Sequence, residues 1–341
     1  MISRGNLVWS LVFTGDNLSL AEILKFSQKA EEAGAKSIWS TELGRDAFVP
    51  LAAISNVTNG ISLGTGVATF ARPPMHTETA AMTMAELTDN NFVLGLGTAP
   101  PLWNENWHGL KFERPVKRMR EYIECIRKMW TATIDSPITF EGEMVKVIEY
   151  TRFIPAPYPS VPIYLAAVRE NMVSLAGELA EGIIGNLLNT PQYFENIVLP
   201  NLEAGLKKSG RDAKEFEIAT LKVCAVNKKR SVARALAKHS IAFYSTLPYF
   251  DIVLDPAGFT EQKNIIRTMF SKNDFNGMLG AVSEDMVDKL ALAGTQDEVL
   301  EQAKAFEGLI DNLILYCPTF GVTPEESRQN HVEMIEAFKN W

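Results

Sequence analysis

Short β-rich runs alternate with longer amphipathic segments along the 341-residue chain, and this alternation is the feature that most constrains its fold. The predicted strands cover 6–13, 37–41, 61–69, 92–97, 162–167, 182–186, 216–226 and 312–317. At least one helix is predicted after each strand, and strands joined through helices run parallel. Eight consecutive βα units predict an α/β fold, a (β/α)8 TIM barrel that occupies 1–341 as one domain.

The predicted helices include an amphipathic segment over 115–130, in which Val116, Met119, Ile123 and Ile126 form one apolar stripe. The others cover 18–33, 46–58, 76–88, 171–180, 191–208, 230–245, 296–307 and 324–340. Two stretches do not fit the repeat: about 132–160, with a predicted hairpin from Ile138 to Tyr150, and about 246–282. We expect both to be insertions at the rim of the barrel.

A doubly wound open sheet is the alternative fold. Such sheets usually carry a glycine-rich nucleotide fingerprint in the first βα turn, and the corresponding residues 14–18 lack it. The absence of that signal favours the barrel.

Charge and cysteine content exclude several classes of protein. The chain has 33 Lys and Arg against 41 Asp and Glu, a net charge of −8, which disfavours nucleic acid as a partner because such binding depends on clustered cations. Its cysteines, Cys125, Cys224 and Cys317, form no CxxC pair and are expected in the core rather than in a disulfide or zinc site. The four histidines are scattered, so no metal site is predicted.

Targeting and membrane signals are also missing from the sequence. Residues 1–6 lead into the first predicted strand without the apolar stretch and cleavage site of a signal peptide, and no run of about 18 apolar residues occurs. We therefore expect a soluble, cytoplasmic protein with no membrane partner.

In a barrel of this kind the active site lies at the carboxyl ends of the strands. Glycines there could either hold a flat ligand against the backbone or relieve crowding in the interior; they are Gly64, Gly66, Gly95 and Gly97. The helix that starts near 171, with Arg169 beside it, is suited to a phosphate. Trp103, Trp107 and Phe140 either line a rim for a fairly large organic substrate or pack a loop onto the barrel.

Motifs spread over nearly the whole chain resemble those of the bacterial-luciferase-like superfamily. They are Ser37-Ile-Trp-Ser-Thr-Glu42, Arg45-Asp-Ala-Phe, Gly60 to Thr69 with Arg72-Pro73, Leu94-Gly-Leu-Gly-Thr98, Trp107-His-Gly109, Phe112-x-Arg-Pro115, Pro162-Ile-Tyr-Leu-Ala-Ala167 and Ala180-Glu-Gly182. The pattern is most similar to the branch that uses the deazaflavin coenzyme F420, which includes methylene-tetrahydromethanopterin reductase and sugar-phosphate dehydrogenases.

The resemblance implies a (β/α)8 barrel and positions for the cofactor. The ring would lie at the barrel mouth against a strand-three bulge with a non-prolyl cis bond between Gly66 and Val67. Thr69, Gly97 and Thr98 would line the ring, and the phosphate tail would meet the turn that contains Ala167, Val168, Arg169, Asn171 and Met172. Glu42 stands where relatives carry an acid, and we expect it to act catalytically as a hydrogen-bonding partner or proton relay. The alternative is a solvated Glu42 that caps the next helix.

The chain also departs from the sugar-phosphate dehydrogenases. They place a His after the strand-two acid and a Glu after the strand-four Gly-Thr, whereas this chain has Leu43 and Pro100-Pro101. Their acid–base chemistry therefore does not carry over.

Three functions remain open from the sequence. The first is hydride transfer between F420 and an organic small-molecule substrate bound at the mouth of the barrel. The second is an FMNH2-dependent monooxygenase that needs a separate reductase, with FMN as its cofactor. The third is a non-catalytic flavin- or deazaflavin-binding protein. We also expect a homodimer.

Overall fold

The computed structural model describes residues 6–15, 17–339 and 341. The amino-terminal prediction for residues 1–5 and the last residue of the predicted 324–340 helix lie outside this part. The strands are β1 (Val8–Phe13), β2 (Ser37–Ser40), β3 (Ser62–Thr65), β4 (Ala68–Thr69), β5 (Phe92–Gly97), β6 (Ile138–Glu141), β7 (Lys146–Tyr150), β8 (Ile163–Ala166), β9 (Gly182–Gly185), β10 (Glu217–Val226), β11 (Ala291–Gly294) and β12 (Asn312–Tyr316).

Eight parallel strands close into a barrel in the order β1, β2, β3, β5, β8, β9, β10 and β12. The barrel closes because β12 pairs with β10 on one side and with β1 on the other. This architecture confirms the predicted (β/α)8 barrel and excludes the open sheet.

Helices surround the barrel. They are α1 (Leu20–Glu32), α2 (Val49–Ser55), α3 (Pro74–Leu87), α4 (Pro101–Trp107), α5 (Pro115–Trp130), α6 (Glu170–Leu179), α7 (Pro191–Tyr193), α8 (Leu199–Ser209), α9 (Arg230–Ser245), α10 (Asp251–Leu254), α11 (Thr260–Ser271), α12 (Phe275–Ala281), α13 (Glu284–Leu290), α14 (Gln296–Lys304) and α15 (Pro324–Phe338). A π-helical turn at Phe194–Val198 joins α7 to α8, so the predicted 191–208 helix is interrupted.

Contacts between strands that are not neighbours identify the side chains inside the barrel. The rings of Trp39 on β2 and Tyr164 on β8 lie 6.1 Å apart, although two strands separate them. Trp39 is in register with Val12, and Val12 is in register with Tyr316. Because paired residues of a parallel ladder point to the same face, Val12 and Tyr316 also face the interior.

The third barrel strand is broken rather than continuous over 61–69. It divides into β3 and β4, and the bond between Gly66 and Val67 in the gap is cis. β3 pairs with β2 and β5, whereas β4 pairs with β5 alone. The bulge and the cis bond implied by the resemblance are thus confirmed.

The insertion after the seventh barrel strand is longer than predicted. β11 pairs with the last four residues of β10, and α14 then leads back to the start of β12. A helix that completes a βα unit runs away from the mouth of the barrel. The carboxyl end of α9 lies at the mouth, as shown by the Tyr244 hydroxyl, 3.0 Å from that of Tyr316, and by Phe243, which stacks on Phe320. The predicted insertion at about 246–282 is therefore confirmed but extends further in both directions, to include α9 on one side and α13 and β11 on the other.

The other insertion contains the predicted hairpin, formed by β6 and β7. It packs on the helical layer: Glu121 of α5 accepts hydrogen bonds from the backbone of Met144 and Val145, and Glu78 of α3 accepts one from Tyr150. Phe140 belongs to this hairpin, so the structure places it beside α5 and not among the strand ends.

The three cysteines are free and buried, as predicted. Among the described helices, none combines the length and apolar character needed to cross a membrane.

Candidate active site

The carboxyl ends of the second and third barrel strands meet at Glu42. Its backbone N–H donates to the Val67 carbonyl at 3.3 Å, and its carboxylate Oε2 accepts from the Thr69 N–H at 2.8 Å. Glu42 thus binds the backbone on both sides of Ala68, which fixes the conformation of the chain after the cis bond.

An ion-pair network extends from the other oxygen of Glu42. Arg72 Nη1 lies 2.7 Å from Glu42 Oε1 and 2.7 Å from Asp46 Oδ2. The Arg72 guanidinium also lies over the Phe48 ring, 5.1 Å from its centroid, and Tyr122 donates to the Arg72 carbonyl at 2.9 Å. Both oxygens of Glu42 are therefore engaged, and the alternative in which a solvated Glu42 caps the next helix does not describe this geometry.

Asp46 is kept ionised by the same network. Burial by itself raises the pKa of Asp46, but hydrogen bonds from Arg72 and from the backbone of Phe48 and Val49 outweigh it and hold that pKa below its ordinary value. The two acids also raise the pKa of Arg72 against the opposing effect of its burial. Asp46 and Arg72 are thus both charged at neutral pH.

The strand glycines make room for protein side chains and backbone. A Cβ on Gly64 would lie 2.5 Å from the Trp39 ring, and one on Gly97 would lie 2.5 Å from Val67 Cγ2. On Gly95 it would lie 1.8 Å from the carbonyl oxygen of Thr65. Relief of crowding by protein atoms therefore accounts for the lack of a side chain at Gly64, Gly95 and Gly97.

Polar atoms without partners lie next to the Glu42 network. Within the part of the chain that the structure describes, the buried hydroxyls of Thr41 and Thr69 have no hydrogen-bond partner, and Thr69 is 6% exposed. Unpaired buried hydroxyls are rare because their desolvation is costly. A heterocyclic ring with carbonyl and N–H groups would supply the missing partners, so these residues fit the cofactor that the resemblance implies.

The predicted phosphate turn follows β8. Ala167 still pairs with the backbone of Ile184 on β9, and Met172 lies buried in the first turn of α6. Arg169 is the amino-terminal cap of α6 and is exposed, as is Asn171. Within the described residues, nothing accepts a hydrogen bond from the backbone N–H groups at 169–171. Free N–H groups at a helix start suit an anion.

The two parts of the candidate site are contiguous around the barrel. The Glu42 network belongs to the second and third strands, Gly97 ends the fourth strand and Thr98 follows it, and the phosphate turn follows the fifth. One elongated ligand could therefore contact all of them.

A short aromatic helix, α4, begins three residues after Thr98. The buried Asn104 side chain donates to the carbonyls of Thr98 and Pro100 at 2.7 and 3.0 Å, which holds α4 beside the fourth strand. Trp103 stacks on Trp107 at 4.7 Å, and 64% of Trp107 is exposed. The pair thus packs on itself and still presents an apolar face next to the strand ends.

Sequence reasoning missed three groups at the mouth. Arg72 was noted only as part of a motif, and its pairing with two acids follows from folding alone. Tyr316 bonds to Tyr244 and, at 3.1 Å, to Thr319, at the end of the eighth strand. The alternation of Asn312, Ile314 and Tyr316 could have identified Tyr316 as an inward-facing residue. Tyr193, described below, gave no sequence signal.

His331 does not belong to this site. His331 is fully buried and stacks on Phe13 and Phe26 in the core. Across the described residues, no group of three or more His, Cys, Asp or Glu side chains could hold a metal ion.

Comparisons with known proteins agree with this architecture. The chain is 30% identical over 292 residues to 5,10-methylenetetrahydromethanopterin reductase from Archaeoglobus fulgidus, covering 82% of this chain and 84% of that protein. The structure of the coenzyme F420-dependent tetrahydromethanopterin reductase from Methanopyrus kandleri superposes with a TM-score of 0.80 at 23% identity, over 98% of this chain and 100% of that chain.

A monooxygenase has the same fold. The structure of RslO1 from Streptomyces bottropensis superposes with a TM-score of 0.72 at 18% identity, over 97% of this chain and 98% of that one. The family model described as luciferase-like monooxygenase matches residues 9–312. With its eight-stranded barrel and a match over most of its length, the chain belongs to the luciferase-like monooxygenase family of oxidoreductases.

Proposed function

We propose that this protein is an oxidoreductase that transfers a hydride between coenzyme F420 and a small organic substrate at the barrel mouth. The observation that carries the proposal is the continuity between the Glu42-bound bulge, with its unpaired Thr41 and Thr69 hydroxyls, and the free N–H groups after the fifth strand. The 30% identity to a methylenetetrahydromethanopterin reductase, together with the fold match to the coenzyme F420-dependent tetrahydromethanopterin reductase, supports F420 over FMN.

Two sets of residues would bind the two ends of the cofactor. Gly66, Val67, Thr69, Gly97 and Thr98 would hold the ring. Ala167, Val168, Arg169, Asn171 and Met172 would hold the phosphate tail. When bound, F420 supplies hydride chemistry at its deazaflavin ring, and the protein supplies position and electrostatics.

Glu42 remains the ionisable side chain that we place beside the ring. Since Arg72 and the Thr69 N–H occupy both carboxylate oxygens, we infer that it acts by holding the bulge and keeping negative charge there. A proton relay at Glu42 would require the Arg72 contact to open during turnover.

The exposed face of Trp103 and Trp107 favours a substrate with an apolar part. Such a substrate would gain from burial of its apolar surface on these rings. We also propose that the protein is a cytoplasmic homodimer.

Anaerobic mixing with reduced cofactor tests the proposal. We expect the protein with reduced F420 to reduce members of a panel of carbonyl, imine and activated-alkene compounds, with recovery of the 420 nm absorbance. Oxygen consumption with reduced FMN and a reductase, and none of this F420 chemistry, would instead establish the monooxygenase. Tight binding without turnover by either route would establish a binding protein.

A further inference from the structure

The side chain of Tyr193, on α7, contacts the predicted phosphate turn. It ends α7 and is 4% exposed, and its hydroxyl donates a hydrogen bond to the Val168 carbonyl. Burial raises the pKa of the Tyr193 phenol, with a further contribution from the charge of Glu170, so the group stays protonated and can serve as a donor. α7 itself is fixed, because Thr190 caps it by accepting from the Tyr193 N–H at 3.1 Å.

The direction of the Val168 carbonyl determines the direction of the next N–H. In a trans peptide unit the C=O and N–H groups point to opposite sides. The only cis bond among the described residues is that between Gly66 and Val67, so the unit joining Val168 to Arg169 is trans. With its carbonyl bound to Tyr193, this unit directs the Arg169 N–H away from α7.

The Arg169 N–H then joins the free N–H groups that start α6. Arg169 has an extended backbone, with φ −105° and ψ 155°, and its carbonyl accepts from Met172 and Val173. These bonds fix Arg169 from the carboxyl side while Tyr193 fixes the peptide on its amino side. The turn is therefore held in one conformation before any ligand arrives, which lowers the entropic cost of binding.

We propose that Tyr193 is a positioning residue for the cofactor phosphate, acting through the Val168–Arg169 peptide and never touching the ligand itself. This inference rests on the proposed function, since it assumes that a phosphate binds the turn. It predicts that the hydroxyl of Tyr193 contributes to the affinity for the phosphate group and contributes nothing to the affinity for the ring.

Paired ligands that differ in the phosphate separate these two contributions. The full-length protein is titrated with F420 and with the deazaflavin chromophore that lacks the phosphate-bearing tail, and then with FMN and riboflavin, each followed by fluorescence. We expect Tyr193→Phe to weaken F420 binding by about fivefold to tenfold, the factor that one ordinary hydrogen bond contributes. Binding of the tail-less chromophore should be unchanged.

Tyr150→Phe is the matched control, because the Tyr150 hydroxyl also donates a hydrogen bond, to Glu78, and lies on the β6–β7 hairpin outside the barrel. It should leave both affinities unchanged. Equal weakening of F420 and of the tail-less chromophore by Tyr193→Phe would show a general structural effect and overturn the inference.

The design also separates failure of the inference from failure of the proposed function. If the wild-type protein binds F420 more tightly than the tail-less chromophore and Tyr193→Phe keeps that ratio, the inference is wrong and the phosphate site stands. If the wild-type protein shows no preference for the phosphate-bearing ligand of either pair, the phosphate site itself is wrong.

Discussion

Glu42 binds Thr69 through the backbone: its carboxylate accepts the Thr69 N–H at 2.8 Å, and this bond joins the ends of the second and third barrel strands. The same carboxylate pairs with Arg72, whose Nη1 also pairs with Asp46. A single acid therefore couples the conformation of the bulge to a charged network beneath the candidate ring site.

Glu42→Gln should weaken this coupling, because a neutral amide cannot pair with the Arg72 guanidinium. We expect a loss of about 2 kcal/mol in the free energy of unfolding, the scale for a hydrogen bond to a charged group. F420 affinity should fall about tenfold. Urea denaturation and fluorescence titration measure the two effects, with the exposed Glu86→Gln as control. Unchanged affinity with a lower kcat and a lost limb of the pH profile would instead show a proton relay.

The lowered pKa of Asp46 predicts how the stability of the protein depends on pH. Its pKa in the folded protein lies below the unfolded value of about 3.9, so ionised Asp46 stabilises the fold above that pH and loses this contribution as the pH falls through the folded pKa. The difference in unfolding free energy between the wild type and Asp46→Asn should be constant above about pH 5 and should shrink below pH 4. Urea midpoints from pH 3 to 6 measure it, and the exposed Asp135→Asn should show no such trend.

Arg169→Ala tests the charged side chain at the phosphate turn. The exposed guanidinium should contribute about 1–3 kcal/mol to the binding of F420 and nothing to the tail-less chromophore. Because salt screens exposed charges, the loss should be larger at low ionic strength. Lys146→Ala, on the hairpin outside the barrel, is the control. An affinity that does not change at any salt concentration would contradict a role for Arg169.

Gly95→Ala tests the packing role of the strand glycines. The new methyl group would lie 1.8 Å from the Thr65 carbonyl oxygen, a backbone atom held within the barrel, so we expect a loss of about 3 kcal/mol in unfolding free energy. Gly280→Ala in α12 is the matched control, because nothing lies within 4 Å of its Cβ position. It should stabilise the protein by about 0.5–1 kcal/mol. Thermal denaturation of both variants distinguishes crowding from a general intolerance of alanine.

The sequence predicted the parts of the fold that depend on local periodicity. Strand β10 and helix α5 lie within one residue of their predicted bounds, because each carries a regular apolar pattern. β11 and helices α10 to α13 were missed. β11, α10, α12 and α13 are only four to seven residues long, and α11, α12 and α13 pack on α9. The regular apolar pattern of α9 also predicted that it follows the seventh strand as part of the βα repeat, although its carboxyl end lies at the mouth of the barrel.

The candidate site was only partly accessible to sequence reasoning. Glu42 could be found because it ends a strand, whereas its pairing with Arg72 joins residues 30 positions apart and depends on the broken third strand. Tyr193 lies on α7 and donates a hydrogen bond to the Val168 carbonyl, 25 positions away in the turn before α6. No local sequence pattern indicates such a contact. The strand glycines were visible, but only the positions of Trp39 and Val67 show what occupies the space beside them.

The central claim, that the strand ends hold a deazaflavin, is tested most directly by equilibrium titration of the purified protein with oxidised F420, with FMN in parallel. The account predicts saturable quenching of F420 fluorescence with one site per chain, tighter than FMN and weakened by Glu42→Gln. Tighter binding of FMN, or no saturable binding of F420, would contradict it.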